Sequence, residues 1–185
     1  QRASNQVGFE EFAVKDWLLE KTTSTTPQND DQLSAEASRS SDKLVLVVDD
    51  LADMRALIGE TLRRCGYRVI YATDGEDGVA KALEFLPDLI ISDWMMPRMS
   101  GPELVTQLKA DSTEIASIPI ILLTAKSDEE SKLMGTELGA DAFLGKPFNN
   151  QELISAVRNL LRLKSHEQEI NNLNKHITEN ILKRY

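Results

Sequence analysis

Five side chains of this sequence have the types and positions needed to act together in one chemical site. They are three carboxylates, one hydroxyl and one ammonium, from Asp49, Asp50, Asp93, Thr124 and Lys146. Each lies at or just after the end of a short apolar run, as expected for residues at the end of a buried strand. If those strands are parallel, all five side chains meet at one edge of one sheet. The pattern therefore predicts a site that binds a divalent cation and accepts a phosphoryl group.

Three carboxylates at one strand edge repel each other unless a cation lies among them. Mg²⁺ takes oxygen ligands and is often held by one or two carboxylates together with a phosphate, whereas zinc prefers the histidine and cysteine side chains that this stretch lacks. With the cation bound, one aspartate could attack a phosphoryl group. Lys146 could supply positive charge and Thr124 a hydrogen bond to a phosphoryl oxygen.

The elements that must position these residues follow an alternating pattern. We predict strands over 44–48, 67–72, 89–92, 119–123 and 141–145, and helices over 52–65, 75–85, 101–110, 127–138 and from 149 onward. Strand and helix alternate five times, which indicates a parallel sheet covered by helices on both faces. Because parallel crossovers are right-handed, the predicted architecture is a doubly wound α/β domain.

Composition narrows the class of protein further. The chain has 185 residues and a net charge of −9, so direct binding to nucleic acid is not expected. Its single cysteine, Cys65, excludes an intrachain disulfide and fits a reducing compartment. No apolar run approaches the roughly 20 residues of a membrane-spanning helix, and no signal peptide is visible. The chain starts at Gln1 without a methionine, and we expect it to be a segment of a longer protein.

Two segments precede the α/β domain, which we place at 43–163. Residues 8–20 have apolar side chains at helical spacing, so 1–21 is interpreted as the tail of an upstream segment or a short docked helix. Residues 22–42 are rich in serine, threonine, asparagine, glutamine and aspartate. Such a composition cannot bury enough apolar surface to order the chain, and we predict a flexible linker.

The last predicted helix continues past the domain without a glycine or proline. Apolar residues recur at heptad spacing in Leu163, Ile170, Leu173 and Ile177, while the polar residues His166 and Asn180 occupy the other seam positions. This pattern predicts a coiled coil over 164–185 and a homodimer formed through it. The alternative is a frayed tail beyond the domain boundary.

Four motifs in order resemble the response regulator receiver domain of two-component signalling. They are Asp49-Asp50, the loop Asp93-Trp-Met-Met-Pro97-Arg-Met-Ser-Gly101, the pair Thr124-Ala125, and Phe143-Leu-Gly-Lys146-Pro147-Phe148. Proline and glycine stand four and eight residues after Asp93, and Phe143 and Lys146 stand 19 and 22 residues after Thr124. The resemblance covers 43–163, about two-thirds of the chain. It implies a flavodoxin-like sheet of order 2-1-3-4-5.

The resemblance also implies a role for each residue. Asp93 would be the phosphoacceptor, and Mg²⁺ would be bound by Asp50 directly, by Asp49 through water, by Asp93 and by the backbone carbonyl of Met95. Lys146 and Thr124 would assist phosphoryl transfer. Thr124 and Phe143 would act as the switch pair, and the Lys146–Pro147 peptide bond would be cis.

On this interpretation the chain is not an enzyme acting on outside substrates, and it assists only its own phosphorylation and dephosphorylation. Its partners would be a histidine kinase or a phosphotransfer protein and an output domain after Tyr185, with no membrane contact in this segment. Residues 179–185 resemble the run that precedes nucleotide cyclase domains in some receiver fusions, and an upstream kinase module would make the parent a hybrid protein. We expect the chain to be located in the cytoplasm, or on the cytoplasmic side of a membrane-anchored parent protein.

Several alternatives remain open at this stage. Asp49 and Asp50 could cap the following helix, since aspartate is a favoured N-cap residue. The chain could be a constitutive dimerisation and docking module without phosphoryl switching. An aspartyl phosphatase would have a second acid where Met95 stands, and a flavin-binding relative would not have two carboxylates after the first strand. His166 could belong to a kinase phosphoacceptor motif, but the residues after it lack the expected continuation.

Overall fold

The computed structural model describes residues 42–111, 114–125 and 137–183. The strands are β1 Leu44–Val48, β2 Arg68–Ala72, β3 Leu89–Asp93, β4 Ile120–Ala125 and β5 Ala142–Lys146; the helices are α1 Ala52–Arg64, α2 Gly75–Phe85, α3 Gly101–Lys109 and α4 Asn150–Leu182, with a 3₁₀ turn at Glu114–Ser117. These bounds agree with the predicted ones to within one or two residues at most ends. The predicted upstream segment, the linker apart from its last residue, and most of the predicted helix 127–138 lie outside the described residues.

The five strands form one fully parallel sheet in the order β2-β1-β3-β4-β5. This confirms the predicted fold class and strand order. The central strands are apolar along their length because helices cover both faces of a parallel sheet. In β3 every residue is buried, from Leu89 to Asp93.

Alternating side chains divide the core into two layers. Val45 and Val47 of β1 point to the face covered by α1 and α4, whereas Leu46 and Val48 point to the face covered by α2 and α3. Successive residues of a strand face opposite sides of the sheet, which explains this division. The sheet is therefore anchored from both sides, and its carboxyl edge is held in a fixed register.

The terminal helix α4 has two distinct parts. Its 33 residues correspond to about 50 Å at 1.5 Å per residue. Only Leu153, Val157 and Leu161 are buried, all against the layer that contains α1. Beyond Leu163 every described side chain of the helix is exposed, apart from the half-buried Lys164. No helix among the described residues combines the length and apolar character required to cross a lipid bilayer.

Candidate functional site

The parallel register brings the predicted site residues to one edge of the sheet. Asp49 directly follows β1 and Asp93 is the last residue of β3, one position beyond the aligned pair Val48 and Ser92. Lys146 is the last residue of β5, and it aligns with Ala125 at the end of β4. All these side chains therefore emerge at the carboxyl ends of the strands, where doubly wound folds place their ligands.

The charged groups of this edge are in direct contact. The Nζ atom of Lys146 lies 2.9 Å from Oδ1 of Asp93 and 3.9 Å from Oδ2 of Asp49. Carboxylate oxygens of Asp49, Asp50 and Asp93 lie within 4.8 Å of one another. Asp49 is fully buried and Asp93 is 4% exposed, whereas Asp50 is open to solvent. One ammonium thus faces three carboxylates, which leaves an excess of negative charge in a mostly buried site.

The excess of negative charge in this site affects the pKa of Asp49 most clearly. Burial, and after it the neighbouring Asp93 carboxylate, raise the pKa of the Asp49 carboxyl group from 3.8 to about 7, against the opposing effects of Lys146 and of the Leu51 N–H. Its Oδ1 accepts a hydrogen bond from Leu51 N at 2.9 Å, whereas its buried Oδ2 accepts none from the described residues. An unsatisfied buried oxygen beside two more carboxylates is the environment that a hard cation would satisfy, so the donor set fits a metal with oxygen ligands.

The helix-cap alternative does not describe Asp49 and Asp50. Helix α1 begins at Ala52, and its N-cap residue is Leu51, which makes no side-chain cap hydrogen bond. The bond from Leu51 N to Asp49 closes the strand-to-helix loop and does not reach the free N–H groups of the helix. The two aspartates therefore lie in the loop between β1 and α1, with their carboxylates beside Asp93.

The loop after Asp93 is held close to the strand end. Gly101 N donates a hydrogen bond to the carbonyl oxygen of Trp94 at 3.0 Å. A Cβ atom added at Gly101 would overlap the carbonyl oxygen of Asp93, so only glycine fits this close approach. Helix α3 then starts from a capping box formed by Ser100 and Glu103. The side chain of Met95 in this loop is 69% exposed, and only its backbone was expected to contribute to the site.

The two predicted switch residues differ in burial. Thr124 is 2% exposed, and its hydroxyl donates a long bond of 3.3 Å to the carbonyl oxygen of Ala125. Phe143 is half-buried and packs against the layer that contains α2 and α3, so it is also a core residue. The Lys146–Pro147 peptide bond is cis, as the resemblance implied.

Sequence reasoning missed an ion pair that holds the loop after Asp93 to helix α2. Arg98 donates to the buried carboxylate of Asp74, the N-cap residue of α2, which also accepts from Asp77 N at 2.9 Å. Arg98 holds down the pKa of Asp74, and its own backbone adopts a left-handed φ of 65°. The Asp74-Gly75 pair signals a helix start, but nothing in the sequence assigns Arg98 as its partner.

We expect Arg98→Ala to be less stable than Arg98→Gly, although both variants lose the ion pair to Asp74. Glycine adopts the φ of 65° without a Cβ clash, whereas alanine is strained there. Urea midpoints measure the order of stability. Arg98→Lys is the control that keeps the charge, and in both neutral variants the pKa of Asp74 should rise, which carboxyl-carbon NMR detects. Equal midpoints for alanine and glycine would show that the backbone of residue 98 is not strained.

Comparison with known proteins gives a consistent result. The response regulator receiver domain family matches residues 45–158. The chain is 43% identical over 125 residues to hybrid signal transduction histidine kinase D of Dictyostelium discoideum, covering 68% of this chain and 8% of that protein. It is 42% identical over 120 residues to the phosphate regulon transcriptional regulatory protein PhoB of Pseudomonas aeruginosa, covering 65% of this chain and 52% of PhoB.

Solved structures of receiver proteins have the same fold as this chain. The chemotaxis protein CheY4 of Vibrio cholerae superposes with a TM-score of 0.60 at 37% identity, over 64% of this chain and 98% of CheY4. The chain spans about half the length of PhoB and a small fraction of the hybrid kinase. From the family match, the fold and the four motifs in order, the chain belongs to the response regulator receiver domain family.

Proposed function

We propose that this chain is a phosphorylation-controlled switch in which Asp93 accepts a phosphoryl group from a histidine kinase or a phosphotransfer protein. The observation that carries the proposal is the contact of 2.9 Å between Lys146 Nζ and Oδ1 of Asp93, inside a cluster of three carboxylates. A lysine at that distance is placed to neutralise charge on a group attached to Asp93. It also holds the acceptor in one orientation.

In the transfer step a carboxylate oxygen of Asp93 attacks phosphorus. The bond between phosphorus and the donor nitrogen or oxygen breaks, the donor keeps the bonding electrons, and an acyl phosphate remains on Asp93. Mg²⁺ bound by Asp50, Asp93 and the Met95 carbonyl, and by Asp49 through water, would neutralise charge on the phosphoryl oxygens. The ammonium group of Lys146 would contact the same oxygens from the other side.

Thr124 is suited to detect the new group. The hydrogen bond that its hydroxyl donates to the carbonyl oxygen of Ala125 is 3.3 Å long, so it is weak and easily exchanged for one to a phosphoryl oxygen. Movement of Thr124 would open space toward which Phe143 turns from its half-buried position. Such a change shifts the population of two pre-existing states of the domain.

The signal would leave the domain through α4. Leu144 and Phe148, at β5 and just after it, pack in the same core layer as Leu153, Val157 and Leu161. A movement of β5 therefore bears directly on the base of a helix that continues for five further turns. We propose that this helix forms a homodimer and passes the change to an output domain, with a nucleotide cyclase as one candidate, in the cytoplasm.

The test is phosphorylation by a small-molecule donor. Incubation with Mg²⁺ and acetyl phosphate should add the mass of one phosphoryl group, and the increment should be lost in Asp93→Asn and without Mg²⁺. Asp53→Asn, in the first turn of α1, is the matched control and should be phosphorylated like the native chain. If the native chain gains no mass under conditions that phosphorylate other receiver domains, the switch proposal fails. The chain would then be a constitutive docking module, the function favoured by the exposed apolar side chains of Leu163, Ile170, Leu173 and Ile177 on α4.

A further inference from the structure

The second half of α4 carries most of the exposed large apolar side chains of the described residues. Six of ten lie there, namely Leu163, Ile170, Leu173, Ile177, Ile181 and Leu182, each between 53% and 72% exposed. Five of these six recur along one side of the helix, which makes them a continuous apolar stripe. A stripe of this kind on an isolated helix requires a partner with a matching face.

The stripe faces away from the domain. Leu161 packs into the core, and Leu163 lies about 200° further around the helix at 3.6 residues per turn. A helix paired along the stripe therefore has the two domains on the outer sides of the pair. The domain that belongs to α4 leaves this face open to a second copy.

From this face we infer that residues 163–181 pair with the same segment of a second copy as a parallel, in-register, two-stranded coiled coil. The inference rests on the proposed function only for the existence of a dimer, and it adds the orientation and the register. Heptad spacing places Leu163, Ile170 and Ile177 at the first core position and His166, Leu173 and Asn180 at the second.

Layer matching favours the parallel arrangement. In a parallel pair each layer joins identical residues, so four aliphatic layers stay aliphatic and the two polar layers, His166 and Asn180, are polar on both sides. In an antiparallel pair centred on the same seam, Asn180 would face Leu163 and His166 would face Ile177. Each polar group would then be buried against an aliphatic one without a hydrogen-bond partner, which costs free energy.

Charges beside the seam favour the same orientation. In a parallel coiled coil a residue before one core position contacts the residue five positions later on the other helix. Arg162 would thus face Glu167 of the second copy, an attractive pair, and Glu167 already contacts Lys164 of its own helix at 3.2 Å. In the antiparallel pair Arg162 would face Lys183 of the second copy, and like charges repel.

Sedimentation of the full chain over a concentration series tests the dimer. We expect a mass twice that of the chain at high concentration, and Ile170→Glu should halve it because a charge would be buried in a seam layer. Asn171→Glu, one residue further on and outside the seam, is the matched control and should leave the dimer intact. A native chain that stays monomeric, or an Ile170→Glu variant that stays dimeric, overturns the inference.

Disulfide formation tests the orientation. In a Cys65→Ser background, Ile177→Cys should cross-link on oxidation, because residue 177 faces its own copy in the parallel register. Thr178→Cys should not cross-link. In the antiparallel pair two residues 177 are about 16 Å apart along the axis, at 1.5 Å per residue, and an oxidised mixture of His166→Cys and Ile177→Cys chains would cross-link instead. That second pattern overturns the inference.

The phosphorylation assay separates this inference from the proposed function. Ile170 is exposed on the second half of α4, outside the cluster around Asp93, so Ile170→Glu should gain one phosphoryl group as the native chain does. A phosphorylated monomer that was never dimeric would overturn the coiled coil and leave the switch standing. A parallel dimer that gains no phosphoryl group would overturn the switch proposal and leave the coiled coil standing.

Discussion

Without divalent metal, Asp49→Asn is expected to be more stable than the native chain at pH 8 and to lack part of its pH dependence. The folded protein holds the Asp49 carboxyl at a pKa of about 7, compared with 3.8 as the ordinary value. At a pH between these two pKa values, the Asp49 carboxyl group has lost its proton in the unfolded chain and still holds it in the folded chain. The free energy of unfolding therefore falls as pH rises from about 4 to about 7, and it stays lower above that range.

The size of the effect follows from the pKa difference. A shift from 3.8 to about 7 corresponds to roughly 4 kcal/mol at 1.36 kcal/mol per unit, a large part of the stability of a small domain. Asparagine keeps the shape of the side chain, and its carbonyl oxygen can accept the hydrogen bond from Leu51 N that Asp49 Oδ1 accepts at 2.9 Å. Its amide group can donate toward Asp93, where the native carboxylate repels.

Urea unfolding at several pH values, in the presence of a metal chelator, measures this prediction. Asp50→Asn is the matched control, since Asp50 is exposed and its replacement removes a like charge without removing a buried carboxylate. Mg²⁺ should stabilise the native chain and should have much less effect on Asp49→Asn. Parallel stability curves for native and Asp49→Asn between pH 4 and pH 7 would contradict the assignment of the buried charge to Asp49.

The strand ends were predictable because local sequence determines them. Each apolar run stops where a polar residue follows the end of the strand. The carboxyl ends of parallel strands lie at the same edge of the sheet, so the sequence alone could place Asp93 and Lys146 in the same site. The burial of Asp49 was not predictable in the same way. It depends on neighbours from other elements, and Asp50, one residue later in the same motif, is exposed.

Long-range details of the loop and of the terminal helix also required the structure. The pairing of Arg98 with Asp74 joins residues 24 positions apart through a left-handed turn that arginine rarely adopts. The heptad pattern predicted a seam on α4, but its direction relative to the core depends on which turn packs against β5. That direction decides whether a partner helix can approach without contacting the domain.

The glycine at the start of α3 links the fold directly to the chemistry, and Gly101→Ala is expected to damage both. The added methyl group would overlap the carbonyl oxygen of Asp93 and would lie 3.0 Å from Leu122 Cδ2 and 3.1 Å from Trp94 Cα. Two of these three neighbours are backbone atoms, so relief requires movement of the end of β3 or of the start of α3. We expect a loss of about 3 kcal/mol or more in stability, at the upper end of overpacking costs.

Gly59→Ala separates this effect from a general intolerance of larger residues. An added Cβ at Gly59 would overlap the ring and hydroxyl of Tyr71, but that group is the end of a half-buried side chain on an edge strand and can rotate away. Alanine also has the higher helix propensity inside α1. We therefore expect Gly59→Ala to lose less stability than Gly101→Ala and to be phosphorylated normally, whereas Gly101→Ala should be phosphorylated more slowly because the carboxylate of Asp93 moves with its backbone. Urea midpoints measure the loss of stability, and the rate of phosphoryl mass gain measures the effect on the site. If Gly59→Ala loses more stability than Gly101→Ala, the backbone of Asp93 can move to accommodate the added methyl group.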